Sequence, residues 1–519
     1  MLESQRRVAR QIAWPVTLAL VVVDVLIGTL FRFTSTSKLW LDEALSVNIA
    51  RHSLGQIVHL LKHDGAPPLY YVLLHFWMTL VGDGDTHVRA LSGVFSVLTL
   101  PVVYLLLRKV WGAQAALLGV GLAAVFPFAT YYATETRMYS LVMLLSTILV
   151  LLVVQVLERP SATRIGALAV VFSLLLYTHY WAIYLGLTLG LYALLLAWRQ
   201  RSLLGSPARI LGALAGGGVL WLPWLSVFNE QRLHTGTPWT APPGIWQALT
   251  WPEAFVVNQS TQHVTVSFHM IVELFAFVIL VVLGAMALKM TPDHFVHLDL
   301  RGNADARLFV NLGVGSIVVG ITAAHFGHSA FVPRYASVAA LLVLFLAVRG
   351  ITTMSSATRV LLVFALFSGA SLWTDNWGRK VQRTQSGQVA AALASAPSGS
   401  LVFVCPDQLG PSLLRYAPAD LHYVGYPRLN KPDIVNWYDY LDAVNVESPQ
   451  SAALKIAAMA KSAPAVYVVW ASGYTLRTTC HDAMVGVQYL LKAKKDILVT
   501  QNLTGFYQSM TLDQLIPTR

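Results

Sequence analysis

The residues best suited to chemistry are two acidic patches that follow the first apolar run of this 519-residue chain. Asp42 and Glu43 are adjacent, and His63 and Asp64 come later in the same hydrophilic stretch. Placing carboxylates so close to a membrane-length hydrophobic segment is energetically unfavourable, so they are candidates for functional residues. The pattern predicts catalysis by acidic groups at a membrane surface. The structural alternative for Asp42-Glu43 is simple helix-start acidity, because carboxylates favour the first turn of a helix.

The composition is that of a chain that crosses a membrane many times. Hydrophobic residues make up 56% of it and charged residues only 12%, about half the charged fraction of a soluble domain. The apolar residues cluster in about eleven runs of membrane length. The predicted spans are 13–33, 87–107, 113–130, 139–157, 164–180, 182–198, 209–227, 267–288, 307–325, 332–348 and 358–374.

The short apolar segment 67–81 decides the predicted topology. It is short for a span, so we interpret it as an interfacial helix, with a short span as the competing interpretation. With the N-terminus in the cytoplasm and 67–81 on the surface, the basic loops fall on the cytoplasmic side. The net charge of +11 then reports topology and does not indicate nucleic-acid binding. The outer side collects Asp42, Glu43, His63, Asp64, Arg89, Glu135, Arg137, His179, His325, His328 and Arg334.

The composition changes after the last predicted span. Residues 375–519 contain no membrane-length run, and short apolar strands such as 401–404 and 465–470 alternate with helical stretches. We therefore predict a transmembrane domain, 1–374, and an extracytoplasmic α/β domain, 375–519. Cys405 and Cys480 are the only cysteines. A disulfide between them and a pair of buried free thiols are both open.

Several motifs occur in a fixed order and together resemble one family. They are Leu41-Asp42-Glu43-Ala44, His63-Asp64-Gly65-Ala66-Pro67-Pro68-Leu69-Tyr70-Tyr71, Val88-Arg89-Ala90-Leu91-Ser92, the stretch 131–140, and Pro333-Arg334-Tyr335. The set resembles the bacterial C-type (GT-C) glycosyltransferases, which are related to protein O-mannosyltransferases and to the aminoarabinose transferase of lipid A. The family's His-Pro-Pro reads Ala66-Pro67-Pro68 here, with the histidine at His63.

The resemblance implies a multi-span enzyme of the bacterial plasma membrane with its active site on the outer leaflet. Such an enzyme is expected to be inverting and to take its sugar, mannosyl or arabinofuranosyl, from a polyprenyl-phosphate donor. The acceptor would be an envelope glycan, a glycolipid or a protein. Membrane lipids are expected partners and nucleic acid is not.

Transfer from a sugar phosphodiester explains the acidic residues. A base must take the proton of the acceptor hydroxyl, and a carboxylate near the anomeric carbon can also stabilise oxocarbenium character. Asp42 is the candidate base, and Glu43 is a candidate for orienting it or binding the acceptor. Asp64 is the third candidate catalytic carboxylate, and its role and that of Asp42 are interchangeable on spacing alone.

The lipid phosphate leaving group calls for arginine or lysine. Arg334 is the first candidate, with a snorkelling arginine at a span end as the alternative. Arg137 is a second phosphate contact or the partner of Glu135 in a salt bridge. Arg89 is a third candidate, although pairing with the acidic loop explains it better. The candidate substrate-binding residues are His63, Tyr70, Glu135 and His179.

The sequence also bears on whether the protein needs a cofactor or metal ion and on whether it is a transporter. No Walker A loop, dinucleotide fingerprint or regularly spaced metal motif occurs, so no cofactor is required. A divalent metal ion stays open as an alternative, with Asp42, Asp64, Glu135, His63, His325 and His328 as suitable ligands. A transporter or flippase of lipid-linked sugars is the competing function. It would place ionisable residues near the bilayer midplane and show inverted repeats, whereas the charges here gather in outer loops.

Overall fold

The computed structural model describes residues 2–201, 205–236, 243–244, 255, 274–275, 277–280, 304–327, 331–472 and 477–518. The chain divides into two compact units. We call the first the membrane unit; it comprises Met1–Ser35, Arg89–Ser226 and Pro242–Arg379. We call the second the sheet unit; it comprises Thr36–Val88, Val227–Ala241 and Lys380–Arg519.

The helices and strands of the described residues follow in chain order. The helices are α1 Leu2–Phe31, α2 Leu41–Ala50, α3 Leu54–Asp64, α4 Leu69–Val81, α5 Asp85–Trp111, α6 Ala113–Ala124, α7 Pro127–Ala133, α8 Tyr139–Glu158, α9 Ala162–Leu176, α10 Ala182–Gln200, α11 Ser206–Trp221, α12 Leu225–His234, α13 Ala304–Phe326, α14 Ser337–Thr352, α15 Ala357–Gly378, α16 Ser386–Leu393, α17 Gly410–Leu414, α18 Tyr440–Val446, α19 Pro449–Ala460 and α20 Arg477–Leu490. The strands are β1 Leu401–Cys405, β2 His422–Gly425, β3 Val466–Trp470, β4 Ala493–Val499 and β5 Thr511–Pro517.

The polytopic α-helical class predicted from the sequence is confirmed. Among the described residues, 8 helices are long and apolar enough to cross a membrane, or 9 if the bent pair α6–α7 is one span. The predicted span 113–130 is that bent pair, and 164–180 corresponds to α9, which has 15 residues. Span 267–288 lies largely outside the described residues. The segment 67–81 forms α4, whose 13 residues are too few to span.

The bend between α6 and α7 measures 52° and places the candidate motif that follows it. Pro127 is the first residue of α7; it lacks an N–H and drives Phe126 out of the helical region, so α6 cannot continue. Arg32 donates to the last carbonyls of α6, from Nη2 to Ala123 at 2.9 Å and from Nη1 to Ala124. Because Ala123 and Ala124 are buried away from water, the buried guanidinium supplies the donors that these carbonyls need.

The sheet unit is built on a mixed five-stranded sheet of order β2-β1-β3-β5-β4. Strand β1 is parallel to β2 and β3, with Val404 opposite both Gly425 and Val469. Strand β5 is antiparallel to β3 and β4. All five residues of β1 are buried, as expected of a parallel strand covered on both faces. The predicted C-terminal α/β domain is therefore confirmed.

The first hydrophilic stretch, residues 36–88, packs within the sheet unit. Asp85 accepts hydrogen bonds from Arg415 Nε at 2.8 Å and from the Tyr416 hydroxyl at 2.7 Å. The backbone N–H of Leu39 donates to the same hydroxyl at 2.7 Å, and the Asn48 amide donates to the carbonyl of Asp433 at 2.7 Å. Helix α2 and the two ends of this stretch are thus held by residues hundreds of positions away in the sequence.

A disulfide joins Cys405, at the end of β1, to Cys480 in α20. The bridge settles the alternative that the sequence left open between a disulfide and free thiols. It ties a central strand to a helix 75 residues further along the chain.

Replacing both cysteines by alanine should destabilise the sheet unit. In the chain-entropy account, closing a loop of this size contributes about 4 kcal/mol. Thermal unfolding of the full-length protein in detergent, followed by near-ultraviolet circular dichroism, measures the loss. Dithiothreitol should shift the wild-type transition in the same direction and leave the double variant unchanged. Equal midpoints for the oxidised wild type and the double variant would show that the bridge does not stabilise the fold.

Candidate functional site

Asp42 and Glu43 both lie in the first turn of α2, but their surroundings differ. Glu43 is fully buried, and its Oε2 accepts from the backbone N–H of Trp40 at 3.4 Å. The same carboxylate oxygen lies 3.7 Å from Nη1 of the buried Arg383. Asp42 is half-buried in the first helical turn. Of the two carboxylates, Glu43 therefore holds the helix in place and Asp42 retains exposed surface.

Asp64 ends α3 in a constrained geometry. Gly65 follows it with φ +82°, the left-handed conformation that commonly terminates a helix and favours glycine. The Tyr71 hydroxyl donates to Asp64 Oδ2 at 2.9 Å, so this carboxylate is oriented from α4. Tyr70 is fully buried and its ring contacts that of Tyr71.

His63 lies one position before Asp64 and faces other aromatic rings. Its Nδ1 lies 3.2 Å from the carbonyl of His59, and its ring packs against Tyr438. Burial first, and then the neighbouring His59, lower the pKa of His63. Its own carbonyl accepts from the backbone N–H of Trp437 at 2.8 Å. These contacts anchor the end of α3 to the C-terminal domain.

In the membrane unit, α7 ends at Ala133 and α8 begins at Tyr139, so the intervening loop carries Glu135 and Arg137. Glu135 is 1% exposed, whereas Arg137 is half-buried. The carbonyl of Arg137 accepts from the Ser92 hydroxyl at 3.1 Å. Ser92 lies three residues after the buried Arg89 on α5 and therefore shares a helix face with it. Two of the sequence motifs thus meet at this loop.

A continuous series of rings joins this loop to two further candidate residues. The ring of Tyr139 lies 5.9 Å from that of His179, and His179 lies 5.3 Å from Tyr335. Arg334 precedes Tyr335 in a short 3-10 turn, and its guanidinium lies 5.9 Å from the Tyr335 ring. Residues separated by nearly two hundred positions in the sequence are therefore brought to one place in the membrane unit.

The electrostatics of this cluster centre on His179. Burial, followed by the positive charges of Arg137 and Arg334, lowers the pKa of His179 from 6.5 to about 3. Its Nδ1 accepts from the backbone N–H of Trp181 at 3.1 Å. The imidazole is therefore neutral near pH 7 and carries its proton on Nε2. The cluster combines two cations with a neutral donor, which is an environment suited to an anion.

Each unit holds part of the predicted residue set. The sheet unit holds Asp42, Glu43, His63, Asp64 and Tyr70, and the membrane unit holds Arg89, Glu135, Arg137, His179 and Arg334. His325 lies at the end of α13, with its Nδ1 2.9 Å from the carbonyl of Pro243. His328 lies outside the described residues. Across the described ranges, no group of three or more His, Cys, Asp or Glu residues is arranged to hold a metal ion.

Sequence reasoning missed three residues that shape these sites. Arg32 was placed inside the first span without a role, although a charge at a span end is itself a signal. Arg383 and Gln508 gave no signal, because each contacts α2 from a position hundreds of residues away.

Comparison with known proteins supports the resemblance drawn from the motifs. Residues 65–226 match the family model described as dolichyl-phosphate-mannose-protein mannosyltransferase. A comparison with curated protein sequences finds no match.

Two solved structures share the fold along nearly the whole chain. ArnT from Cupriavidus metallidurans bound to undecaprenyl phosphate is 14% identical, with a TM-score of 0.60 over 96% of this chain and 97% of that chain. The Archaeoglobus fulgidus oligosaccharyltransferase tethered with an acceptor peptide is 10% identical, with a TM-score of 0.51 over 95% of this chain and 74% of that chain. The chain therefore has the GT-C glycosyltransferase fold.

The low pKa of His179 should make stability fall in mild acid. The unfolded chain takes up this proton near pH 6.5 and the folded protein only near pH 3, so stability is lost as pH falls through this window. At about pH 5.5 the loss is about 1 kcal/mol. Unfolding midpoints at about pH 7.5 and 5.5 should differ less in His179→Gln than in wild type.

The control is His481→Gln, the same substitution at an exposed histidine. Identical pH dependence in His179→Gln and wild type would mean that folding does not shift the pKa of His179.

Proposed function

We propose that this protein is an inverting membrane glycosyltransferase, which moves a sugar from a polyprenyl-phosphate donor to an acceptor hydroxyl of the cell envelope. The observation that carries the proposal is the convergence of Arg137 and Arg334 on the neutral His179. Two guanidinium groups beside a neutral imidazole donor suit a phosphate, and a lipid phosphate at a membrane is the anion that this fold suggests. The ArnT structure with undecaprenyl phosphate supports this choice.

The arginine cluster fits the leaving group of the reaction. When the bond between the anomeric carbon and the phosphate oxygen breaks, the oxygen takes the electron pair and the phosphate gains charge. Guanidinium groups stabilise that charge through hydrogen bonds shorter and stronger than neutral ones. The Nε2–H of His179 adds a donor without adding a third positive charge. Arg89, buried near Ser92, is proposed to support this loop.

Asp42 is proposed as the base. The acceptor oxygen attacks the anomeric carbon on the face opposite the departing phosphate, which inverts its configuration. The proton of the acceptor hydroxyl passes to the Asp42 carboxylate, whose charge also stabilises the oxocarbenium character of the transition state. The partial exposure of Asp42 supports its assignment over the fully buried Glu43.

The other candidates are proposed to act more indirectly. Asp64 is oriented by Tyr71 and anchors the end of α3, so we expect it to shape the acceptor side of the loop. Glu135 is buried beside Arg137, which supports a role in orienting that arginine. His63 and the buried Tyr70 are proposed to keep the loop packed where substrate binds.

Several features support an extracytoplasmic position for the sheet unit. Disulfides persist in oxidising compartments, and Cys405–Cys480 is one. Residues 36–88, which carry Asp42, pack in the same unit, so they are proposed to share that side of the bacterial plasma membrane. The acceptor would then be an envelope glycan, glycolipid or protein. The matched family model favours a mannosyl donor, with arabinofuranosyl as the other candidate.

One observation bears on the transporter alternative. Asp24 lies within the span 13–31 and is a carboxylate of the kind expected along a transport path. It is 1% exposed and accepts a hydrogen bond from the Ser368 hydroxyl of α15 at 2.5 Å. This contact explains Asp24 as a polar link between two packed helices, and the shared GT-C fold supports the enzyme.

Arg334→Ala should weaken donor binding about tenfold to hundredfold, since a charge-assisted phosphate contact contributes roughly 1.5–3 kcal/mol. Acceptor binding should change little. Titration of a polyprenyl-phosphate sugar against the purified protein measures the effect.

Arg349→Ala is the matched control, because Arg349 lies at the other end of α14 and also contacts an aromatic ring, that of Trp111 at 5.7 Å. If Arg334→Ala and Arg349→Ala bind donor as tightly as wild type, Arg334 is a snorkelling residue and leaves the site.

Asp42→Asn should nearly abolish transfer, because the amide keeps the shape and loses the proton-accepting charge. A positioned general base contributes about 10²–10⁴-fold. Turnover is measured as sugar transferred to the acceptor from a saturating polyprenyl-phosphate sugar, with product analysis to identify the sugar and the anomeric configuration. Asp64→Asn should be milder, and both variants should keep their thermal stability. If Asp42→Asn retains more than about a tenth of wild-type turnover, the base is Asp64 or another residue.

A further inference from the structure

The first turn of α2 is held by the C-terminal domain. The first N–H groups of a helix have no partner within it. Here the N–H of Trp40 reaches Glu43, as in half of a capping box. The N–H of Leu41 donates to Gln508 Oε1 at 3.1 Å, across 467 positions of sequence.

Gln508 is itself fixed by several hydrogen bonds. Its Oε1 also accepts from the Ser412 hydroxyl at 2.9 Å, and its Nε2 donates to the carbonyl of Gln408 at 3.2 Å. Its backbone N–H donates to the carbonyl of Arg383 at 2.8 Å, and its carbonyl accepts from the N–H of Gln385 at 2.9 Å. The side chain is 2% exposed, so its position is determined by the domain and not by solvent.

Glu43, which follows Asp42, is held by Arg383, whose backbone is hydrogen-bonded to that of Gln508. Glu43 faces Arg383, and the two side chains are 0% and 3% exposed. The backbone N–H of Arg383 donates to the Ser37 hydroxyl at 2.7 Å, so Arg383 is held against the segment that leads into α2. Removing one partner of such a buried charge pair lowers the stability of the fold, because the other charge is left buried and uncompensated.

We propose that Gln508 and Arg383 are positioning residues for Asp42. They fix the residues immediately before and after it, Leu41 and Glu43, and so determine where the Asp42 carboxylate points. The C-terminal domain therefore acts in the reaction through α2, in addition to any contact with the acceptor. This inference rests on the proposed role of Asp42 as the base.

The chain supplies a matched control for Gln508. The Oε1 of Gln501 accepts from the N–H and hydroxyl of Ser472 at 3.1 and 2.9 Å, and its Nε2 donates to Ser509 Oγ at 3.0 Å. Gln501, half-buried in the same domain, thus also accepts from one N–H and one hydroxyl and donates once, without reaching α2. Gln508→Met and Gln501→Met should lower the melting temperature by similar amounts. Only Gln508→Met should lower kcat, by about tenfold to hundredfold, because displacing a reacting group by about 1 Å costs this much.

The donor KM should be unchanged in Gln508→Met, since the residues proposed to bind the phosphate belong to the membrane unit and Gln508 to the sheet unit. Arg383→Met should lower kcat in the same way, and Arg383→Lys should recover part of it by keeping the charge beside Glu43. In an Asp42→Asn background, Gln508→Met should have no further effect on residual turnover, because the residue it positions is already inactive.

Equal kcat values for Gln508→Met and Gln501→Met would overturn the proposal, as would a loss of turnover that persists in the Asp42→Asn background. Failure of the proposed function looks different. In that case Asp42→Asn itself would keep its activity, whatever the glutamine variants do.

Discussion

The break between α6 and α7, and the arginine that satisfies it, determine the position of the loop that carries Arg137. Pro127 begins α7 after the end of α6, and the open carbonyls of the buried Ala123 and Ala124 would be costly without a donor. Arg32 supplies that donor from the end of α1. Gly28, one turn earlier, permits the approach, because an added Cβ would lie 2.0 Å from the carbonyl oxygen of Ala124. The redirected α7 then leads into the loop that carries Arg137.

The charge balance around His179 suits a reaction in which negative charge grows. A polyprenyl-phosphate sugar carries a single negative charge, whereas the released monoester approaches two near neutral pH. In the proposed reaction, two guanidinium groups would therefore interact more strongly with the departing phosphate than with the bound donor, and such differential binding accelerates a reaction. A protonated His179 would add a third buried cation, which burial and the two arginines disfavour. The neutral imidazole keeps the donor and avoids that repulsion.

The sequence predicted the elements that depend on local pattern and missed the contacts that depend on tertiary packing. Membrane-length apolar runs identified the long helices α1, α5, α8 and α10, and alternating short apolar runs identified β1 and β3. The bend at Pro127 was not predicted, because 113–130 is apolar throughout and its hydropathy alone is that of one continuous span. Charge bias predicted that Arg137, His179 and Arg334 share the outer side of the membrane. Their contacts through the rings of Tyr139 and Tyr335 depend on tertiary structure and could not be predicted from the sequence.

The adjacent carboxylates of α2 also show that tertiary contacts cannot be predicted from local sequence. Successive residues on a helix point about 100° apart, so Asp42 and Glu43 have different surroundings. The dipeptide indicates acidic chemistry, but its sequence cannot tell which carboxylate is buried. Packing against the C-terminal domain makes the choice: Glu43 pairs with Arg383 inside the protein, and Asp42 is left on the adjoining, partly exposed face. In the proposed arrangement, the contacts of the buried Glu43 secure the first turn and so help to orient the half-buried Asp42.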